Sequence, residues 1–353
     1  MSSTSGTSGT DVDLAKALRG AAWPGTDEVP YPRADPADAA RLPADTWGTA
    51  LLPVGVRLEL VGDAEAVEVD YTCATDDLGY RGAGAGTTFT AWRGDDLLDE
   101  QPAVLADGVS TVRLALPGST AGTVTVHVPE GMRPRLHAVR AVDGSLEAAP
   151  AGPRWLCYGD SIAEGWVASG PGRAWPAVAA RRWGLDVVNL GYAGSARGEI
   201  ASAEQLAALP ADVVSVTHGT NCWTRIPHSV DQMRANLAAF LDILRQGHPE
   251  TPIVVGSPVV RPDAEETPNR LGATLVDLRA AIEEVVEARQ AAGDARLTLV
   301  RGGPLLTADQ LPDGIHPGDE GHAALAAAFG GAVATAVGAA GPGADDGSGA
   351  GAG

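Results

Sequence analysis

Lysine is all but missing from this chain: Lys16 is the only one, and every other basic side chain is arginine. That excludes a Ser–Lys mechanism, because no lysine lies near a candidate nucleophile. Cysteine is scarce as well. Cys73, Cys157 and Cys222 are too few and too scattered for a disulfide framework or a zinc site, so no metal is expected. A reducing compartment suits them. Positive charge is short overall, with 25 Lys and Arg against 45 Asp and Glu and a formal net charge of -20. Neither nucleic acid nor an anionic membrane surface is an expected partner of such a chain. No stretch approaches the roughly 18 consecutive apolar residues of a membrane helix. Residues 1–10 are rich in Ser, Thr and Gly and lack the charged and apolar regions of a secretory signal, which points to the cytoplasm.

The first half reads as β. Val56 to Leu60, Val67 to Tyr71, Val112 to Leu116 and Val124 to Val128 alternate apolar and polar residues, the period of strands with one buried face. Turn residues such as Gly62-Asp63 and Pro117-Gly118 punctuate them. Several short alternating strands in series predict an antiparallel β-sandwich over residues 11–150. Residues 11–20 suit one short helix, 21–46 form a Pro-rich lead-in, and residues 1–10 are expected to be disordered.

After the linker at 148–153 the pattern changes. Apolar runs at 155–158, 187–188, 213–216, 253–255 and 297–300 alternate with helical patterns. Met233, Leu237, Phe240, Leu241 and Leu244 keep a 3.6-residue period, as do Leu271, Leu275, Leu278, Ile282 and Val286. Alternating strand and helix predict an α/β domain at 154–338: a flavodoxin-like, doubly wound parallel sheet. Residues 339–353, almost all Gly, Ala, Ser and Asp, are expected to be a disordered tail.

Active sites of open α/β sheets lie at the carboxyl ends of the strands, and four informative segments fall there. Gly159-Asp160-Ser161-Ile162 follows the first strand and Asn189-Leu190-Gly191-Tyr192-Ala193-Gly194 the second. Gly219-Thr220-Asn221 follows the third, and Asp313-Gly314-Ile315-His316-Pro317 the last. In this order they resemble the four sequence blocks of the SGNH (GDSL-type) serine hydrolases and acyltransferases, over residues 154 to about 338. The resemblance implies Ser161 as nucleophile and His316 as base, with Asp313 orienting the base. It also implies an oxyanion hole from the backbone N–H of Ser161 and Gly194 and the side chain of Asn221. The roles make physical sense, since a serine hydroxyl needs a base, the base an orienting acceptor, and the tetrahedral intermediate aimed donors. Cys222 stands where the family often has Asp.

Other residues near these blocks have blander readings. Asp160 reads as a loop-stabilising carboxylate, and His218 as a packed or capping histidine. Arg197 and Glu199 read as a mutual surface ion pair, and Cys157 as core. Cys222 lacks a base of its own. Trp166 and Trp223 suit a pocket wall and core packing equally. His127 and His137 read as surface residues of the sandwich.

The expected function is acyl transfer through an acyl-Ser161 intermediate, with carboxylic-ester hydrolysis as the default and no cofactor. The alternative is an acyltransferase that delivers the acyl group to a hydroxyl of a natural product. The sandwich-plus-α/β order resembles the GDSL-type acyltransferases of actinomycete polyketide tailoring. The expected partners are a small-molecule ester or acyl donor and, for a transferase, a hydroxyl acceptor. An alternative of another class is glycan binding through the sandwich. On the first reading the sandwich packs beside the active-site mouth and helps enclose one substrate.

Overall fold

The computed structural model describes residues 10–77 and 86–339. Except for Thr10 and Ala339, the two segments expected to be disordered lie outside the described residues. The N-terminal half runs through β1 (Thr10–Asp11), α1 (Leu14–Ala17), β2 (Leu18–Arg19), α2 (Ala44–Ala50), β3 (Arg57–Gly62), β4 (Ala66–Cys73) and β5 (Thr88–Arg93). It continues with β6 (Asp96–Pro102), β7 (Ser110–Ala115), β8 (Val124–His127), β9 (Pro134–Val142) and β10 (Leu146–Ala148).

Two antiparallel sheets result, ordered β1-β9-β4-β7 and β10-β3-β8-β5-β6, with β2 paired to β3. The alternation read from the sequence decides what they bury. Val67, Val69 and Tyr71 of one sheet meet Leu58, Leu60 and Val126 of the other in a shared core. Strands β5, β6 and β9 carry no clean alternation. All but the two end residues of β5 are buried, β6 has no buried position, and β9 slips register opposite Asp70 and Tyr71.

The C-terminal half comprises β11 (Arg154–Gly159), α3 (Ser161–Glu164), α4 (Trp175–Trp183), β12 (Asp186–Gly191), α5 (Ile200–Ala208), β13 (Val213–Thr217) and α6 (Val230–Gly247). Then follow β14 (Ile253–Gly256), α7 (Leu275–Ala291), β15 (Leu297–Val300), α8 (Asp319–Leu325) and α9 (Gly331–Ala336). The parallel sheet has the order β12-β11-β13-β14-β15, the expected doubly wound arrangement. Strands β11 to β14 are buried on both faces, whereas the edge strand β15 leaves Thr298 exposed. Leu156 and Tyr158 of β11 point into the cluster with Leu237 and Phe240 of α6, and Trp155 and Cys157 into the one with Trp175 and Phe329. Helix α7 starts later than its periodicity predicts. Thr274 and Asp277 form a capping box, leaving Leu271 in the preceding loop and exposed.

The lead-in is part of the α/β core. Ala34, Leu42 and Ala50 are buried in the cluster that covers one face of the parallel sheet, with Trp23 and Trp47 packed against it. The sandwich meets the β12 side of that sheet through buried polar contacts. Arg57, 1 % exposed, donates to the Val187 carbonyl at 2.8 Å and the Asp186 carboxylate at 3.1 Å. His127 is not the surface residue expected from the sequence but a buried one, 3.0 Å from the Arg181 guanidinium. Burial, and then Arg181 and Arg57, hold its pKa well below the ordinary histidine range. It is therefore neutral and accepts from Arg181, whose guanidinium also stacks over Trp92 at 4.5 Å. His137 is exposed, as expected.

Breaking a buried ion pair from one side leaves an uncompensated charge. Arg57→Met should therefore lower the unfolding free energy by about 3 kcal/mol, read from the shift of the urea midpoint. A loss below about 1 kcal/mol would mark the contact as no stronger than an exposed pair.

Candidate active site

Strand β11 ends at Gly159, and the Asp160 side chain caps the turn that follows by accepting the Ile162 N–H at 3.0 Å. Ser161 is thus the first residue of α3, where its N–H has no intrahelical acceptor. Its hydroxyl donates to His316 Nε2 at 2.8 Å. His316 Nδ1 donates to Asp313 Oδ2 at 2.6 Å. The other Asp313 oxygen accepts the backbone N–H of Ile315 at 2.9 Å and of His316 at 2.7 Å, which locks the loop around the carboxylate. Burial raises the Asp313 pKa, but these hydrogen bonds outweigh it and hold the carboxyl below its usual range. The carboxylate stays ionised, and the tautomer it enforces leaves Nε2 free to accept the serine proton.

Gly194 lies in the loop after β12 with φ +69°, a left-handed conformation that glycine adopts without strain. No described residue accepts its N–H. Asn221 is buried in the turn after β13 and donates one amide proton to the Ser195 carbonyl at 2.5 Å. An amide carries two such protons, so one remains for a ligand. Ser161, Gly194, Asn221 and His316 line one cavity of about 590 Å³, and Asp313 stands behind His316. The five residues singled out in the sequence are thus brought together. The arrangement can deprotonate a hydroxyl and offer N–H donors to an oxyanion beside it.

The residues that hold the glycine loop were not singled out. Glu164, with no exposed surface, accepts the Ala193 N–H at 2.9 Å, the Arg33 guanidinium at 3.3 Å and the Trp166 indole N–H at 3.3 Å. Arg33 also donates to the carbonyls of Leu52 at 2.7 Å, Thr49 at 2.5 Å and Gly191. Arg197 and Glu199 do form the mutual ion pair expected, at 3.9 Å, but within the protein and not on its surface. Arg197 is buried, ties Asp45 of α2 at 2.9 Å and donates to the Gly194 carbonyl at 2.8 Å. Glu199 accepts from Tyr158 at 2.7 Å and from the Arg197 N–H at 3.0 Å. The Thr46 and Ser195 hydroxyls are bonded to each other.

Helix α2 is also a wall of the cavity, through Asp45, Gly48 and Thr49. Among the described residues, the N-terminal half reaches the cavity through this helix and not through a sandwich strand. Trp166 is a second wall, its ring 5.2 Å from that of His316, whereas Trp223 is spent on the Thr267 carbonyl at 2.8 Å. Burial pushes the Cys157 thiol up to about 12 and the Cys222 thiol higher, which removes both as nucleophiles at neutral pH. His218 is packed against Tyr158 and Phe240, with its pKa lowered by burial to about 4. Among the described residues no group of acidic, His and Cys side chains is arranged to hold a metal ion.

Two predictions concern this loop cluster. If the spare Asn221 amide proton serves an oxyanion, Asn221→Ala should lower kcat about 100- to 1,000-fold, and it also frees the Ser195 carbonyl. A change confined to KM would make Asn221 a ground-state binding residue. Burial pushes the Asp160 carboxyl up from 3.8 to about 6, against the pull of the Ile162 N–H and of His316. A carboxyl whose pKa is raised by folding costs stability as pH climbs from its unfolded to its folded value. Asp160→Asn should therefore gain stability relative to the parent between about pH 4 and pH 6 and hold that gain above pH 6. Denaturant unfolding at a series of pH values checks this, and a pH-independent difference would contradict it.

The GDSL-like lipase/acylhydrolase family model matches residues 157–324. Among solved structures, the chain is similar to the salicylyl-acyltransferase SsfX3 from a tetracycline biosynthetic pathway, at 30 % identity and TM-score 0.74. That match covers 88 % of this chain and 92 % of the other. A GDSL-like lipase from Bacteroides ovatus follows at 21 % identity and TM-score 0.73, covering 92 % and 96 %. The acetyl xylan esterase Est2A from the rumen bacterium Butyrivibrio proteoclasticus matches at 14 % identity and TM-score 0.58, covering 94 % and 99 %. The last two show the fold. A comparison with curated protein sequences gives no match. With four blocks in order, a doubly wound sheet and a relative alike over nearly its whole length, this chain is an enzyme of the GDSL (SGNH) lipase/acylhydrolase family, a family of esterases and acyltransferases.

Proposed function

We propose that this enzyme moves an acyl group through a covalent acyl-Ser161 ester, with the chemistry held in residues 154–338 and α2 completing the pocket. His316 takes the Ser161 proton as Oγ attacks the acyl carbon. The oxyanion of the tetrahedral intermediate then accepts from the N–H of Ser161 and Gly194 and the Asn221 amide. As the intermediate collapses, His316 returns the proton to the departing alcohol. Water, deprotonated by the same histidine, attacks the acyl-enzyme and releases the acid, so the net reaction is carboxylic-ester hydrolysis. The observation that carries this reading is the pair of hydrogen bonds, 2.8 Å from Ser161 to His316 and 2.6 Å from His316 to Asp313, opening on a cavity of about 590 Å³. A cavity of that size suits a small-molecule ester.

A second reading replaces water with a hydroxyl acceptor, which makes the enzyme an acyltransferase of natural-product tailoring. It is favoured by the likeness to SsfX3, whose match spans sandwich and parallel sheet alike. In the described residues no helix is long and apolar enough to cross a membrane. The three buried, free thiols suit a reducing compartment such as the cytoplasm.

Intact-mass measurement after incubation with a panel of activated esters, with and without candidate alcohols, tests both readings. An adduct on Ser161 that water removes supports hydrolysis, and one that only an alcohol removes supports transfer. Ser161→Ala and His316→Ala should each abolish turnover, and the double variant should be no worse than either, because the two residues act as one unit. Turnover that survives Ser161→Ala would refute the proposal.

A further inference from the structure

Glycine is the weakest helix former after proline, and inside a helix it needs a reason. Gly48 stands within α2, whose sequence is Ala-Asp-Thr-Trp-Gly-Thr-Ala. Its backbone supplies no reason, since its φ lies outside the left-handed range. Packing supplies none either. A Cβ built at this position meets no atom within 4 Å, unlike one at Gly191, which would strike the Glu164 backbone at 2.4 Å. The packing face of α2 is formed by Thr46, Thr49 and Ala50, which are buried. Gly48 is exposed, and what it faces is the Ser161 cavity, which it lines together with Asp45 one turn earlier. A Cβ added here has open space at the wall of that cavity.

The helix that carries Gly48 is held in place too firmly to yield to a side chain there. Arg197 clamps Asp45 at 2.9 Å, the Thr46 hydroxyl bonds Ser195, and Arg33 holds the Thr49 carbonyl at 2.5 Å. Capacity on this side of the cavity is therefore set by the side chain at position 48. The remaining lining is mixed: Trp166, Ala193 and Ile315 are apolar, whereas Arg225 and Arg261 bring cationic side chains to the same cavity.

We propose that Gly48 is a specificity-determining residue: its missing side chain opens the space along α2 that receives the bulky half of the ester substrate. This rests on the acyl-Ser161 reading. One extra methylene in an apolar pocket typically changes discrimination by 10- to 200-fold. Gly48→Ala should therefore lower the ratio of kcat/KM for a bulky over a small substrate by about tenfold, and Gly48→Leu by more. Two series measure it: esters of one alcohol with acetyl or branched aromatic acyl groups, and acetyl esters of small or bulky alcohols. A fall of the ratio in either series is the expected result and shows which half of the substrate lies along α2. The melting temperature of Gly48→Ala should be no lower than the parent's, because alanine favours the helix. An unchanged ratio in both series for both variants overturns the proposal, as does a fall that merely follows a lowered melting temperature. Small and bulky organophosphonates, with the Ser161 adduct counted by intact mass, give the same comparison without turnover. Failure of every probe to label Ser161 in the parent protein would overturn the acyl-Ser161 reading, and this proposal with it.

Discussion

Glu164 sits in the last turn of α3, three residues beyond the serine, with none of its surface exposed. Its carboxylate gathers the Ala193 N–H, the Trp166 indole and the Arg33 guanidinium at one point. Buried charge is tolerated only when paired and fully hydrogen-bonded, so each of these partners is constrained by the others. The glycine loop, one aromatic wall of the cavity and the N-terminal lead-in therefore take up a single arrangement together. Arg33 extends the constraint to the carbonyls of Thr49 and Gly191, which joins α2 to the end of β12.

That arrangement bears directly on acyl chemistry. Oxyanion donors act by being aimed before charge develops, so their value depends on how firmly their loop is held. Here the loop from Ala193 to Arg197 is bonded along its length. Ala193 is held by Glu164, the Gly194 carbonyl by Arg197, and the Ser195 carbonyl and hydroxyl by Asn221 and Thr46. The Gly194 N–H is left without a described acceptor, at a position that lines the Ser161 cavity. The loop that carries His316 is built differently, since Asp313 binds both the backbone and the ring of His316 within one turn. One side of the site is thus organised by long-range contacts and the other by local ones.

The sandwich contributes at a distance. Its contacts with the α/β half include buried polar ones: Arg57 on Asp186 of β12, and neutral His127 and the Trp92 ring on Arg181. Arg181 belongs to α4, which packs on the sheet face beneath Ile162 and Ala163. The sandwich therefore supports the scaffold from the β12 side, while α2 forms the wall that substrate meets.

How much of this was readable from the chain follows the range of the interactions. Alternation of period 2 marked β3, β4, β7 and β8, whose apolar residues turn to the shared core, although Thr125 and His127 on the other face of β8 are buried too; β6, with no buried residue, left no such trace. The parallel strands showed as short apolar runs, and each chemical block followed one of them. Spacing within a loop was equally legible, as with Asp313 and His316 three residues apart. The sequence by itself determined the doubly wound sheet and the strand-end positions of Ser161, Gly194, Asn221, Asp313 and His316. Only the tertiary structure decided what surrounds them. Arg33 meets Glu164 across 131 residues of chain, and Thr46 meets Ser195 across 149. Arg197, Glu199 and His127 looked like surface groups because a local pattern records charge but not what later folds over it. Burial of a polar residue depends on a partner brought from elsewhere in the chain, and no local periodicity encodes that partner.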